Sequence, residues 1–319
     1  MGQTMAHFGP LEGKLVVLIG GGGFFGSHIA QDLLRSGARL RIAERHPENA
    51  VKLRPMANLG QLQFSRCDVT DRRSIEAAVR GTDAVVYLVG TFGRDAQALQ
   101  ANGPGTAAEI AAAEGVQAFV SISAIGADAG SQSLYARTKG LGEANVHAAF
   151  PRATILRPSV LFGEDDNFLN MFAGMIAGMP ILPVFGEEAR LQPLWVDDAA
   201  AAVIAALSDP DGHGGKIYEI AGPEVVTMGE LNRRIAKAQG RERRFVPVPD
   251  GLASLFAALP GVPISSDQLS LLKQGSVASG NLPGIAELGV TPKPLDLFLD
   301  RWMMRFRKYG RFSTKGELA

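Results

Sequence analysis

Leu15-Val16-Val17-Leu18-Ile19 runs directly into Gly20-Gly21-Gly22-Gly23-Phe24-Phe25-Gly26, and this junction decides how the chain folds. An unbroken apolar run between Lys14 and four glycines reads as a parallel strand buried on both faces. From Phe24 to Arg35 the apolar spacing is helical, and it stops at Ser36-Gly37. Gly20, Gly23 and Gly26 form G-x-x-G-x-x-G between the strand and the helix. Glycine reaches the positive φ that such a turn needs, and without a Cβ it lets the backbone approach a pyrophosphate. The helix N-terminus adds unpaired N–H groups and a positive dipole end. Gly20, Gly23, Phe24, Phe25 and Gly26 are therefore candidate dinucleotide contacts; the alternative is a purely structural glycine turn.

Outward from the turn, strand and helix patterns alternate. Strands are expected over 39–43, 62–64, 84–89, 119–123 and 153–156, with helices over 74–80, 105–114 and 135–148. With Leu15–Ile19 this makes six strands, the signature of an α/β doubly wound parallel sheet. After Gly163 the regularity falls, although 196–207 reads as a helix and 216–220 as a last strand. The expected division is a nucleotide-binding domain at 12–163 plus 192–222, with a smaller substrate or interaction domain at 164–191 plus 223–319.

Composition narrows the function. The 319 residues carry 32 Lys+Arg against 32 Asp+Glu, so no basic footprint for nucleic acid exists. The single cysteine, Cys67, excludes an intramolecular disulfide and a cysteine-based zinc site, and the five histidines lack ligand spacing; no metal is expected. The N-terminus lacks the order of a signal peptide. The uncharged run 167–186 could span a bilayer by length, but Asn170, Pro180 and Pro183 interrupt it, and it reads as a buried helix followed by a loop.

Glu44 ends the second strand, 18 residues after Gly26, where a carboxylate can accept both ribose hydroxyls of NAD. Arg45, with Arg41 nearby, could instead clamp the 2′-phosphate of NADP. Asp68 and Val69 follow the third strand, where Asp68 either meets the adenine edge or caps a helix. Tyr135 and Lys139 share a helix face, and Ser123 ends the fifth strand at the carboxyl edge where ligands bind such sheets. The trio suits proton transfer coupled to hydride transfer: Lys139 and an oxidised nicotinamide would lower the Tyr135 pKa, and Ser123 would hold the substrate oxygen. Ser131 and Ser133 could replace Ser123 or cap the Tyr135 helix.

These motifs resemble the extended or atypical short-chain dehydrogenase/reductase superfamily. The resemblance includes Cys67-Asp68-Val69-Thr70-Asp71, Asn102 with Gly105-Thr106, Leu156-Arg157-Pro158, Phe162-Gly163, Trp195-Val196-Asp197-Asp198 and Ala221-Gly222-Pro223. Within it, Leu53-Arg54-Pro55-Met56, Leu59-Gly60-Gln61, Phe168-Leu169-Asn170, Leu282-Pro283-Gly284 and Leu288-Gly289 resemble the Rossmann-fold accessory subunit of respiratory complex I and its bacterial relatives. That resemblance implies bound NADP(H) or NAD(H), with Pro158 among its contacts, and partnership with complex I subunits. It also implies peripheral attachment on the cytoplasmic side of a membrane, or its mitochondrial matrix equivalent. An active reductase, epimerase or dehydratase using Ser123, Tyr135 and Lys139 is the alternative. Only 11 residues separate Ser123 from Tyr135, shorter than the excursion that nucleotide-sugar enzymes of the superfamily usually carry.

Near the C-terminus Leu295, Phe298, Leu299, Trp302, Phe306 and Tyr309 recur at helical steps, flanked by Arg301, Arg305 and Lys308. Either this apolar face packs on the second domain, or 295–312 meets a membrane surface or partner.

Overall fold

A computed structural model of the chain describes residues 9–93, 95–249 and 271–308. The elements begin with β1 (Leu15–Ile19), α1 (Phe24–Arg35), β2 (Arg39–Glu44), β3 (Leu62–Arg66), α2 (Arg72–Val79), β4 (Ala84–Tyr87), α3 (Gly103–Ala113), β5 (Ala118–Ile122), α4 (Leu134–Ala149) and β6 (Thr154–Pro158). Then come β7 (Leu161–Phe162), α5 (Phe168–Gly178), β8 (Ile181–Phe185), β9 (Arg190–Leu191), β10 (Leu194–Trp195), α6 (Val196–Ser208), α7 (Pro210–His213), β11 (Ile217–Ile220), β12 (Val226–Thr227), α8 (Met228–Ala238), β13 (Arg244–Val248) and α9 (Asp296–Trp302). The chain clusters into two compact units. One holds the described residues up to Pro158, Val196–Ile220 and Gly280–Thr291; the other holds the remainder.

The first unit is built on a seven-stranded sheet of order β11-β6-β5-β4-β1-β2-β3, parallel throughout. β1 and β4 are buried along their whole length, as their uninterrupted apolar sequences require. The strand order reverses between β1 and β4, which opens a crevice at their carboxyl ends. One face of the sheet presents Val17, Ile19, Val85 and Phe119 to Ile75, Val79, Ile110 and Val146 of the helices. Asp71 caps α2 by accepting from Arg73 N–H, and Ser133 caps α4 by accepting from Ala136 N–H. A 3-10 segment, Pro47–Met56, buries Ala50 and Leu53, and its irregular spacing leaves no helical period to read.

The second unit places α5 and α8 around Phe162, Leu169, Ile176, Leu231 and Ile235. The 167–186 run forms α5 and then a strand, β8, which pairs in parallel with β13; the loop expected there is corrected by that pairing. No helix among the described residues is long and apolar enough to cross a membrane.

The segment following Leu295 belongs to this core. It forms α9 and a 3-10 turn, Met303–Phe306, in place of one continuous helix. Trp302 is 5% exposed, with its ring 5.9 Å from Phe162 and 6.1 Å from Trp195. Trp195 in turn stacks on Phe298 at 3.8 Å. Arg305 donates to Glu164 O and Asn170 Oδ1, and Arg307 donates to Ala238 O. Of the two readings of 295–312, packing on the second unit's own core is the one the described residues show. Trp302 is buried, Phe306 is packed against the same core, and two of the basic side chains tie down the unit's own backbone. Tyr309 and the rest of that segment, like the apolar stretch 252–259, lie outside the described residues.

Candidate functional site

Gly20 leaves β1 at φ +87 while its N–H donates to Ala43 O at 2.9 Å. That left-handed conformation is what restricts the position to glycine. A Cβ on Gly26 would lie 2.5 Å from Gly21 O, so only glycine lets α1 press this closely on the turn. Gly23 differs. It is the N-cap of α1, no side chain caps the helix, and its first turn holds no acidic residue. A Cβ there would meet only Gly20 O, at 3.8 Å. The turn therefore offers uncapped helix N–H groups, a positive dipole end and open backbone, which together fit a pyrophosphate. Phe24 sets its ring edge-on to His28 at 5.4 Å, and Phe25 is half-buried beside it.

Glu44 reaches this turn from the end of β2, accepting a hydrogen bond from Gly22 N–H. Arg45 is exposed next to it. Asp68 accepts from Thr70 N–H and Oγ1 at 2.9 and 2.7 Å; these bonds hold its carboxyl below the usual range, with Arg45 and Arg66 adding to the effect. Its helix-capping alternative is corrected, because Asp71 is the cap of α2. Val69 is buried beside Asp68. Arg41 does not accompany Arg45: its guanidinium donates to Ala78 O and Arg80 O, at the C-terminal end of α2. The carbonyls left unpaired by a helix end explain that choice.

Lys139 Nζ donates to Ile122 O at 2.9 Å and lies 5.9 Å from the centre of the Tyr135 ring. Ser123 is one residue beyond β5, and its buried Oγ has no hydrogen-bond partner among the described residues. A small cavity beside Ser123 and Lys139 is also lined by Tyr87, Gln100 and Glu143. An unpaired hydroxyl in such a place is uncommon in a structural core. Phe92 stacks on Tyr135 at 4.5 Å. Desolvation pushes Tyr135 up to about 12. Burial pulls Lys139 down to about 8, against the pull of the Glu143 carboxylate. In the protein alone desolvation favours the neutral phenol; the lowering expected from Lys139 together with an oxidised nicotinamide concerns the nucleotide-bound state. Ser133 is the α4 cap and Ser131 accepts from its N–H, so both serines are occupied in the loop. Pro158 ends β6 opposite Ile220, and its carbonyl accepts from Ile125 N–H.

Two groups escaped the sequence reading. Glu143, one turn beyond Lys139 on α4, receives Arg157 of β6 in a two-pronged pair at 2.8 and 2.6 Å. Glu219 of β11 lies 3.9 Å from the same guanidinium. The spacing of 135, 139 and 143 on one helix face was the available signal. No group of three or more His, Cys, Asp or Glu side chains that could hold a metal ion occurs among the described residues.

Residues 16–221 match the model of a family described as the NAD dependent epimerase/dehydratase family. The chain is 31% identical over 321 residues to mouse NADH dehydrogenase [ubiquinone] 1 alpha subcomplex subunit 9, covering 96% of this chain and 84% of that one. It is 27% identical to the ceramide reductase of Caulobacter vibrioides, over 74% of each chain. Among solved structures, a nucleoside-diphosphate-sugar epimerase from Staphylococcus aureus shares the fold with a TM-score of 0.72 at 20% identity, covering 89% of this chain and 99% of that one. Fold, glycine turn and sequence relationships agree: the chain belongs to the NAD dependent epimerase/dehydratase family.

Proposed function

We propose that the chain binds a nicotinamide dinucleotide, NADP(H) or NAD(H), across the glycine turn and serves as an accessory or assembly factor of respiratory complex I. The nucleotide is held mainly as a structural element or as a reporter of redox state. The observation that carries nucleotide binding is the uncapped α1 N-terminus behind the open Gly23 position. The accessory role rests on near full-length similarity to the mouse subunit. Gly20, Gly23, Phe24, Phe25 and Gly26 would hold the pyrophosphate, and Glu44, Arg45, Asp68 and Val69 the adenosine end. Lys139, Tyr135 and Pro158 would hold the nicotinamide end. A bound nicotinamide supplies hydride transfer; the chain's own residues bind, orient and exclude water. Peripheral attachment to the membrane follows from the complex I partner.

Purification at low salt is expected to recover complex I subunits with the protein, and mass spectrometry of its small molecules to find a nicotinamide dinucleotide. A protein isolated without either would sink the reading. Cofactor choice turns on two neighbours: Glu44 repels a 2′-phosphate and Arg45 attracts it. Replacing Arg45 with alanine is expected to weaken NADPH by roughly tenfold, the order of one charge-assisted hydrogen bond, and to spare NADH. Equal losses for both nucleotides in calorimetry would remove Arg45 from this role.

A second reading, an active NAD(P)-dependent reductase, epimerase or dehydratase, is favoured by the unpaired Ser123 hydroxyl beside Lys139 and by the resemblance to a ceramide reductase. In that case Tyr135→Phe abolishes turnover while leaving nucleotide affinity within about twofold. Turnover that survives in Tyr135→Phe would exclude Tyr135 as the proton donor.

A further inference from the structure

Glu143, Arg157 and Glu219 join three different elements of the first unit in one buried contact. Glu143 and Glu219 are each 6% exposed, and the Arg157 side chain is 17% exposed. Arg157 spends both prongs of its guanidinium on Glu143, and its remaining nitrogen faces Glu219. Formal charges decide what this contact leaves over. Two carboxylates and one guanidinium sum to a single surplus negative charge, and with both carboxylates buried water screens it only weakly. Lys139 is the cation that shares the cavity with Glu143, one helical turn away on α4.

We propose that Glu143, Arg157 and Glu219 form a charge frame whose surplus negative charge keeps Lys139 an ammonium, and that the frame thereby sets the pH range over which the Tyr135–Lys139 pair can hold a nucleotide. Glu143 and Glu219 are positioning residues that act through Lys139. The functional half of this proposal rests on the nucleotide-binding reading above; the electrostatic half does not.

The geometry gives each member a distinct part. Lys139 is 7% exposed, and its Nζ has one carbonyl, Ile122 O, as a neutral acceptor. A buried ammonium with that support alone tends to lose its proton. Glu143 opposes the loss, and burial remains the larger influence, bringing Lys139 to about 8. Arg157 keeps Glu143 from being an isolated buried anion, and Glu143 raises the guanidinium in return. Glu219 restores the negative surplus that Arg157 would otherwise cancel. Other titratable groups face the same network. Tyr135 lies beside Lys139, Tyr87 of β4 lines the cavity, His147 follows Glu143 by one turn, and Asp128 acts on Arg157 from the loop before α4. Tyr87 is pushed well up by burial and His147 is pulled down by it, so each favours its neutral form and neither replaces the frame.

The test is a nucleotide-free NMR titration of the full chain labelled with 13Cε-lysine, with Lys139 assigned from its absence in Lys139→Met. The wild type is expected to show a midpoint near 8. Glu143→Gln should lower that midpoint by about one pH unit or more, the shift expected when an adjacent opposite charge is removed. Glu219→Gln should lower it by a smaller amount, about half a unit, because Glu219 contacts the frame through Arg157. Glu109→Gln, which removes an exposed partner of Arg72, should leave it unchanged. If Glu143→Gln fails to fold, Glu219→Gln carries the test. A Lys139 midpoint unmoved in the folded variants overturns the proposal. NADH and NADPH affinities measured over the same pH range should weaken as Lys139 loses its proton, at a lower pH in Glu143→Gln. Shifted NMR midpoints without any nucleotide binding would keep the charge frame and sink the nucleotide reading; pH-independent affinity beside shifted midpoints would sink the functional half of the frame.

Discussion

Trp302→Ala is expected to destabilise the second unit by about 3–5 kcal/mol, the usual cost of removing a large buried aromatic. The residue is 5% exposed and belongs to the same core as Leu169, Ile176, Leu231 and Leu299. Its ring meets Phe162 and Trp195, and Trp195 is itself stacked on Phe298, so the cavity would open within an aromatic cluster whose rings cannot collapse into it. Trp302→Phe should cost less. It keeps much of the packing and removes an indole N–H that has no partner among the described residues. The measurement is urea unfolding followed by intrinsic fluorescence. The two tryptophans of the chain are Trp195 and Trp302, both in the second unit, so the remaining one reports that unit alone. A change below about 0.5 kcal/mol, the level of a surface substitution, would return Trp302 to a surface role and revive the membrane-facing reading of this segment.

Gly23→Val separates folding from nucleotide binding. Gly23 adopts φ −68, open to any residue, and the nearest atom to an added Cβ is Gly20 O at 3.8 Å. The unliganded variant is therefore expected to lose no more than about 1 kcal/mol, the cost of a poor N-cap residue. The side chain would nevertheless stand in front of the α1 N-terminus, where a pyrophosphate needs bare backbone. The stabilisation of about 2.7 kcal/mol expected from a nucleotide at a hundredfold excess over Kd should vanish. Gly26→Ala is the contrast: its Cβ would meet Gly21 backbone at 2.5 Å, so the fold itself should suffer. An unchanged nucleotide-induced shift in the melting temperature of Gly23→Val would exclude the turn as the binding site.

The parts legible in advance share one property: local residues are enough to define them. The run Leu15–Ile19 has no polar face, so it can only be a strand covered on both sides, and it is the strand flanked by β2 and β4. The glycines at 20 and 26 are demanded by φ and by contact between α1 and the turn, both set within seven residues. Tyr135 and Lys139 fall on one face because a helix repeats every 3.6 residues.

What escaped depends on partners far apart in sequence. Arg41 and Arg45 look alike along β2, yet Arg41 is spent on the carbonyl end of α2, some forty residues away. Residues 280–291 return to the first unit, where Glu219 N–H donates to Pro283 O, and no periodicity announces that hydrogen bond. The helical spacing over 295–309 could not say whether its apolar face meets protein or membrane, since both present the same hydrophobic demand; Phe162 and Trp195 answer it by supplying the partner rings. The charges of Glu143, Arg157 and Glu219 are visible as letters, but their sum matters only because the fold brings the three together with both carboxylates buried. Local sequence specified the sheet, the turn and the tyrosine–lysine face, because backbone conformation and helical period are short-range. Desolvation and the choice among distant partners were decided by tertiary packing, because a side chain's burial and electrostatic field are properties of everything folded around it.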